Sequence, residues 1–494
     1  MSLFLTTPDQ HDFQDPTVEL DEKRLQRWLA GLPVLNPGES LRHVLNALEP
    51  LNEQRMDSGK RLRLLALYQA TVKRLYDAAD PLSLRQQPLS QRQRQETVDD
   101  VERLCLAMAN GLKLVVRELH AGGQVQDMDL FATALRRTVK QLAATLLHAY
   151  RYHRPEPPFV FLELNQLYRV ARHHGVHELA AGNEVQSSLA TVYKAVSLLA
   201  LTDPFSGGEG QAGAYYSTLM RHAESARIIP GNSWQGVPEG LYFIDLQSDS
   251  RPRHCVLLES PVAGDDPYIL DARAPLQRMH QALAALPADR RRQRPEAGIL
   301  RALLPEVKPR DKRRSERRAA GHRIEVVVGL DAIAAWLEQL QRGRRPDAEE
   351  WRVKDVSEDG YCLAWDRSAA SALRVGELIC LVSDSEASQQ PPRLLVLRWL
   401  RDEREQGTRL GVEKLEGVPA PVRLTAAGDE GSQPALFLPS TGAEGPAARL
   451  VATEGVYEPG RPLLIRAGER RITARCGELL EQGAGFDCFA FLAG

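Results

Sequence analysis

Apolar side chains recur at three- and four-residue intervals over the first 205 residues. Leu25, Trp28, Leu29 and Leu32 share one stripe of a helix predicted over Asp21–Leu32, and Leu41, Val44, Leu45 and Leu48 do the same over Pro37–Leu51. The spacing continues through Leu62–Tyr76, Val101–Leu119, Leu130–Tyr150 and Phe159–Val170. Polar breaks such as Gln86–Gln93 read as solvated connections. No fixed period links the segments, which argues against a standard helical repeat. The pattern predicts a helical domain of about seven or eight helices.

The run Asp203-Pro204-Phe205-Ser206-Gly207-Gly208-Glu209-Gly210 breaks that pattern, and the segment beyond it is mixed. Gly240–Leu246, His254–Leu258 and Tyr268–Leu270 read as strands, and Pro275–Leu286 as a helix. From Arg290 to Arg323 basic residues dominate and the segment reads as a flexible connector. Further along, Trp351–Trp365, Glu377–Val382, Leu394–Leu400 and Thr408–Leu415 are strand candidates. Asp331–Gln341 interrupts them with Ile333, Trp336, Leu337 and Leu340 at helical spacing. Ala435–Leu438, Pro462–Ile465, Ile472–Ala474 and Phe486–Phe489 continue the strands to the end.

The expected fold class is therefore α+β and multidomain. It comprises a helical domain (1–205), a mixed α/β segment (206–289), a basic connector (290–323), a run of short strands that suggests a small barrel or sandwich (324–420; an antiparallel β-barrel by the resemblance given below) and a β-rich C-terminal extension (421–494).

Composition narrows the function classes. Among 494 residues, 63 Lys and Arg nearly cancel 65 Asp and Glu, leaving a formal charge of −2, so any polyanion binding must be local. The chain is 43% hydrophobic and 26% charged, which excludes disorder as the dominant state. No apolar stretch approaches the roughly 20 residues needed to span a bilayer. The start, Met1-Ser2-Leu3-Phe4-Leu5, has no basic n-region of a signal peptide. The six cysteines are scattered, with no C-x-x-C pair, which argues against a zinc ribbon or disulfide framework. A cytoplasmic protein with reduced thiols is the expectation.

Two segments carry candidate chemistry. Arg313-Arg314-Ser315-Glu316-Arg317-Arg318 contains R-x-x-x-R twice, at 313/317 and 314/318, just before the apolar run Ile324–Val328. Asp355-Val356-Ser357-Glu358-Asp359-Gly360 is a D-x-S-x-x-G, followed by Tyr361-Cys362-Leu363-Ala364-Trp365. Either half alone is common; their order and strand contexts are not. Together they resemble the PilZ domain, the bacterial receptor module for cyclic di-GMP. Val396–Leu400 and Leu410–Glu413 are similar to that family's later strands. The resemblance covers about 312–417. It departs from the family in the gap between the motifs, which Asp331–Glu350 lengthens.

The resemblance implies a receptor for cyclic di-GMP rather than an enzyme, with no cofactor and no metal. Arg313, Arg314, Arg317 and Arg318 would supply forks for phosphate and guanine, which arginine grips bidentately. Asp355 would accept from guanine N1–H and N2–H₂, Ser357 would meet phosphate or an amino group, and Gly360 would supply a positive-φ turn and close approach to the purine. Ligand binding would clamp the connector onto the barrel, and the helical domain would offer its faces to a protein partner. The alternative is a PilZ-like scaffold that binds no nucleotide.

Other features read as structural. His173 and His177 lack a third ligand and read as a helix end. Ser206–Gly210 lacks the Lys-Ser/Thr of a phosphate loop. Arg290–Arg323 has no aromatic platform for nucleic acid. Trp336, Trp351, Trp365 and Trp399 are expected in the barrel core or rim.

Overall fold

The computed structural model describes residues 2–12, 15–16, 18–33, 36–82, 90–121, 125–179, 187–231, 239–255, 266–286, 295–306, 316–344, 346–366, 373–383, 391–403, 406–428, 431–440 and 447–493. Contacts divide the chain into two units: Met1–Pro204 with Glu209–Lys312, and Phe205–Gly208 with Arg313–Gly494.

Short polar side chains start many of the helices of the first unit. Asp21, Asn36, Asp57, Asp127 and Ser188 each accept the backbone N–H three residues on. Each thereby satisfies an orphan donor of a first turn. The helices are α1 (Glu22–Ala30), α2 (Pro37–Glu53), α3 (Ser58–Ala79), α4 (Gln91–Ala121), α5 (Met128–Arg151), α6 (Val160–His173), α7 (Leu189–Leu201) and α8 (Gln211–His222). Their apolar stripes make the expected core, and α8 extends the helical part past the Asp203–Gly210 break.

Buried charges here are tied down. Arg61 donates to the carbonyls of Leu51 and Gln54 (2.9 and 2.5 Å), closing the last turn of α2. Lys113 Nζ meets Glu163 at 3.0 Å with both side chains buried.

A four-stranded antiparallel sheet, in the order β1–β4–β2–β3, comes next. Its strands are β1 (Arg227–Pro230), β2 (Leu241–Asp245), β3 (Arg253–His254) and β4 (Pro267–Asp271). The predicted strand at His254–Leu258 is described only at its start; Val256–Leu258 lie outside the described residues. Helix α9 (Arg273–Ala285) matches its prediction, but α10 (Pro295–Glu306) corrects the reading of 290–323 as connector throughout. Ala297, Leu300, Leu303 and Leu304 are buried there, an apolar stripe hidden among arginines.

The second unit holds two barrels. The strands of the first are β5 (Arg318–Ala319), β6 (Arg323–Val328), β7 (Glu349–Val356), β8 (Gly360–Trp365), β9 (Leu378–Ser383), β10 (Arg393–Asp402) and β11 (Thr408–Leu415). The segment read as one strand from Trp351 to Trp365 is thus the β7–β8 hairpin. The order β7–β6–β9–β10–β11–β8 closes through β7–β8 pairing into a ring, with β5 on β7 beside β6. Trp351, Trp365, Leu363, Leu395 and Leu410 fill it.

The second barrel is closed, in the order β12–β13–β14–β17–β16–β15. Its strands are β12 (Ala420–Ala426), β13 (Gln433–Leu438), β14 (Arg449–Thr453), β15 (Pro462–Ala467), β16 (Arg470–Gly483) and β17 (Phe486–Ala493).

The helix in the inter-motif insertion, α11 (Leu330–Gln341), explains why β9 and β10 read as unbroken apolar runs. Their inward residues fill the first barrel. Their outward residues (Leu378, Cys380, Leu394, Val396) pack with Ile333, Trp336 and Leu337 of α11 and with Leu436, Val451 and Phe486 of the second barrel. Arg398 spans the same seam, 2.6 Å from Glu413 and 2.5 Å from Glu481. One side of the first barrel is therefore covered, while the outward face of β7, β8 and β11 carries the candidate site.

Candidate ligand site on the first barrel

Alternation along β7 puts Trp351 and Val353 inside the barrel, and an unbroken strand would send Asp355 inside too. The register shifts between Val353 and Asp355: Val353 pairs with Leu363, Asp355 with Cys362. This bulge turns Val356 inward against the core and Asp355 outward.

Strand β5 then delivers an arginine to the same face. Arg318 pairs with Val356 and Ala319 with Asp355, so Arg317 falls on the side of Asp355 and Ser357, and Arg318 on the other. Arg317 Nη1 lies 3.2 Å from Asp355 Oδ1, both side chains partly exposed. Arg313 and Arg314 lie outside the described residues.

The turn after Asp355 is held from several sides. Ser357 N–H and Oγ both donate to the Gly360 carbonyl (2.9 and 3.3 Å), which leaves the hydroxyl lone pairs to accept. Lys414 Nζ donates to the carbonyls of Ser357 and Glu358 (3.2 and 2.5 Å), and its backbone N–H to that of Asp359. Burial, then the neighbouring Arg393, pulls the Lys414 ammonium pKa down.

Gly360 does not take the predicted positive φ. It is absent from the positive-φ glycines; instead a Cβ there would stand 2.1 Å from the Val412 carbonyl oxygen. The residue is glycine because β11 passes over it, a packing requirement rather than a left-handed turn.

The row through Asp355 extends across the sheet: Asp355 pairs with Cys362, Cys362 with Gly411, and Gly411 with Trp399. A bulge between Leu397 and Trp399 puts Trp399 on the outward side, and a Cβ on Gly411 would stand 1.9 Å from its indole Nε1. The indole thus lies flat over a glycine, half-buried on the outward face rather than in the core, where core or rim was expected. Burial, then the Asp355 carboxylate, pushes the Cys362 thiol pKa up, while Arg409 and Arg317 act the other way.

The adjacent row is basic: Arg323 pairs with Arg352, Arg352 with Ala364, Ala364 with Arg409, and Arg409 with Arg401. Arg323 is engaged by Glu350 at 2.8 Å, Arg409 by Glu403 at 3.6 Å, and Arg401 lies 4.6 Å over the Phe205 ring. Arg352 is exposed. Neither the bulges nor this row is visible to motif reading. Alternation with Trp351 and Val353 is a signal that could have found Arg352, whereas Asp355 and Trp399 break the alternation and face outward only through the bulges.

The two candidate histidines are not brought together. Helix α6 ends at His173, and Gly175 takes a φ of 70° before His177, so the two histidines share no helix face. Among the described residues no His, Cys, Asp and Glu group suits a metal ion, and no helix is long and apolar enough to cross a membrane.

A small closed barrel with an arginine entering ahead of its first long strand and a D-x-S-x-x-G turn on the same face defines a PilZ-type module. Three family profiles match in succession. Residues 23–231 match "Cyclic-di-GMP receptor FimW, N-terminal domain", 337–421 "Cyclic-di-GMP receptor FimW, middle PilZ domain", and 421–493 "FimW C-terminal beta-barrel domain". The chain is 24% identical to the cyclic-di-GMP receptor FimW of Pseudomonas aeruginosa, over 95% of this chain and 90% of that protein. It belongs to the PilZ-domain cyclic di-GMP receptor family.

Proposed function

We propose that this chain binds cyclic di-GMP on the outward face of β7, β8 and β11, without chemical turnover, in the bacterial cytoplasm. The observation that carries the reading is the Arg317–Asp355 pair, held on one face by β5 pairing and the β7 bulge. Of the two R-x-x-x-R registers, that face favours Arg313/Arg317; Arg318 projects from the opposite side of β5.

Each role follows from donor and acceptor chemistry. Asp355 accepts from guanine N1–H and N2–H₂, and Arg317 swings from the carboxylate to O6/N7 or a phosphate. The pair it leaves is partly exposed and costs at most about 1 kcal/mol to break. Ser357 accepts from an amino group with its hydroxyl lone pairs. Trp399 offers the flat face on which a purine stacks, and Arg352 stands one row away for a phosphate. Engagement of Arg313 by the ligand would change the coupling of the two units and the binding of a protein partner to the helical domain.

Isothermal titration of the full chain with cyclic di-GMP tests this. Arg317→Ala and Asp355→Ala should each weaken binding at least tenfold, and Arg318→Ala less than threefold. Loss in Arg318→Ala with Arg317→Ala unaffected would reverse the register. Absence of binding to the unaltered chain at high concentration would end the receptor reading.

A further inference from the structure

The helical unit contains a cavity lined by none of the barrel residues described above. Helix α4 packs against both α3 and α5, and α8 closes one end. Between them lies a cavity of about 500 Å³, the size of a small-molecule pocket. Positions 69, 72, 73, 76 and 77 of α3 and 140, 141, 144, 147 and 151 of α5 line it, each set one helical face.

Its walls are mainly apolar: Val72, Cys105, Ala144, Leu147 and the ring of Tyr76. Its charges are mainly positive, with Lys73, Lys140 and Arg151 against the carboxylate of Asp77. Two ends of the Arg151 guanidinium are occupied, Nη1 by Tyr76 at 2.9 Å and Nη2 by Asp80 at 2.5 Å. The third donor, Nε, is buried without a hydrogen-bond partner among the described residues. A buried donor left unpaired costs about 1–3 kcal/mol and calls for an acceptor.

The residue over that nitrogen is Gly213 of α8. A Cβ there would meet Arg151 Nε at 3.6 Å and Cδ at 3.8 Å, so the glycine leaves the guanidinium edge open. Glycine inside a helix costs about 1 kcal/mol relative to alanine, and here it keeps space at an unsatisfied donor.

We propose that this cavity binds a small amphipathic organic anion, its apolar body between α3 and α5 and its acidic head toward Arg151 Nε and the lysines. The occupant is a small molecule, since the space is a pocket and not a long groove.

A matched pair of probes separates charge from greasiness. 1-Anilinonaphthalene-8-sulfonate carries the anion, and N-phenyl-1-naphthylamine has the same rings without it. With the full-length protein, the sulfonate should bind at one site per chain at least tenfold more tightly than the neutral amine, and decanoate should displace it. Lys73→Glu, a substitution on an exposed face, should weaken the sulfonate about tenfold and leave the amine unchanged. Gly213→Leu should weaken both. Equal binding of the two probes would overturn the anion specificity. Unchanged sulfonate affinity in Gly213→Leu, with helical circular dichroism intact, would place the probe elsewhere and overturn the site.

Discussion

Gly360→Ala separates two roles that one glycine can have in a D-x-S-x-x-G motif. The added Cβ would stand 2.1 Å from the Val412 carbonyl oxygen, well inside the 3.0 Å that real Cβ contacts respect. The obstructing atom is backbone, so strands β8 and β11 must part where Gly360 faces Glu413 and Tyr361 faces Val412. Losing about two ladder hydrogen bonds at roughly 1 kcal/mol each, plus at least 1 kcal/mol of overpacking strain, gives about 3 kcal/mol. For a unit of this size that lowers the melting temperature by about 6–12 °C. The assay is a thermal melt read by fluorescence of Trp351, Trp365 and Trp399 alongside titration with ligand. A fall in melting temperature with weakened binding is the expected pair. An unmoved melt with lost binding would refute the packing argument and return Gly360 to direct contact with a purine.

Other parts of the molecule give three more expected outcomes. Gly411→Ala displaces the Trp399 indole from its seat and should lower cyclic di-GMP affinity about tenfold, the worth of one stacked base; unchanged titration would remove Trp399 from the site. Lys113→Met leaves the Glu163 carboxylate buried without its counter-charge, with hydrogen bonds only from Thr6, and should cost about 3 kcal/mol in urea unfolding of the helical unit; a loss under about 1 kcal/mol would show that the pair is not desolvated. His148 is buried with its pKa pulled down by burial to about 4, against 6.5 in the unfolded chain. The folded state then resists protonation, so its contribution is full above pH 6.5 and is lost as pH falls toward 4, by about 3 kcal/mol. Melts of His148→Gln across that window should be correspondingly flatter, and an identical slope would assign the pH effect to other groups.

Periodicity made the helices legible, because helical cores need apolar residues at three and four spacing and little else interferes. Strands were legible where turns bounded them. Helix α10 was not, since the arginines around it outweighed the spacing of Ala297, Leu300 and Leu304. The motif residues could be picked from type and order, but their geometry could not. Asp355 faces outward only because of a bulge, and which arginine joins it depends on the pairing of two residues in β5. Gly360 illustrates the limit: sequence shows that a side chain is missing without showing what occupies the space.

Helix α11 bears on how such a protein can be divided. The profile of its middle domain begins at residue 337, inside this helix. Leu330, Ile333, Trp336 and Leu337 are buried in a core shared by both barrels. Cutting after the first barrel would strand that face at roughly 2 kcal/mol per side chain. The smallest piece that can be inherited, swapped or expressed intact is thus barrel, helix and barrel together. The second barrel is thus a wall of the first, and a cut between them exposes a core that neither half can cover alone.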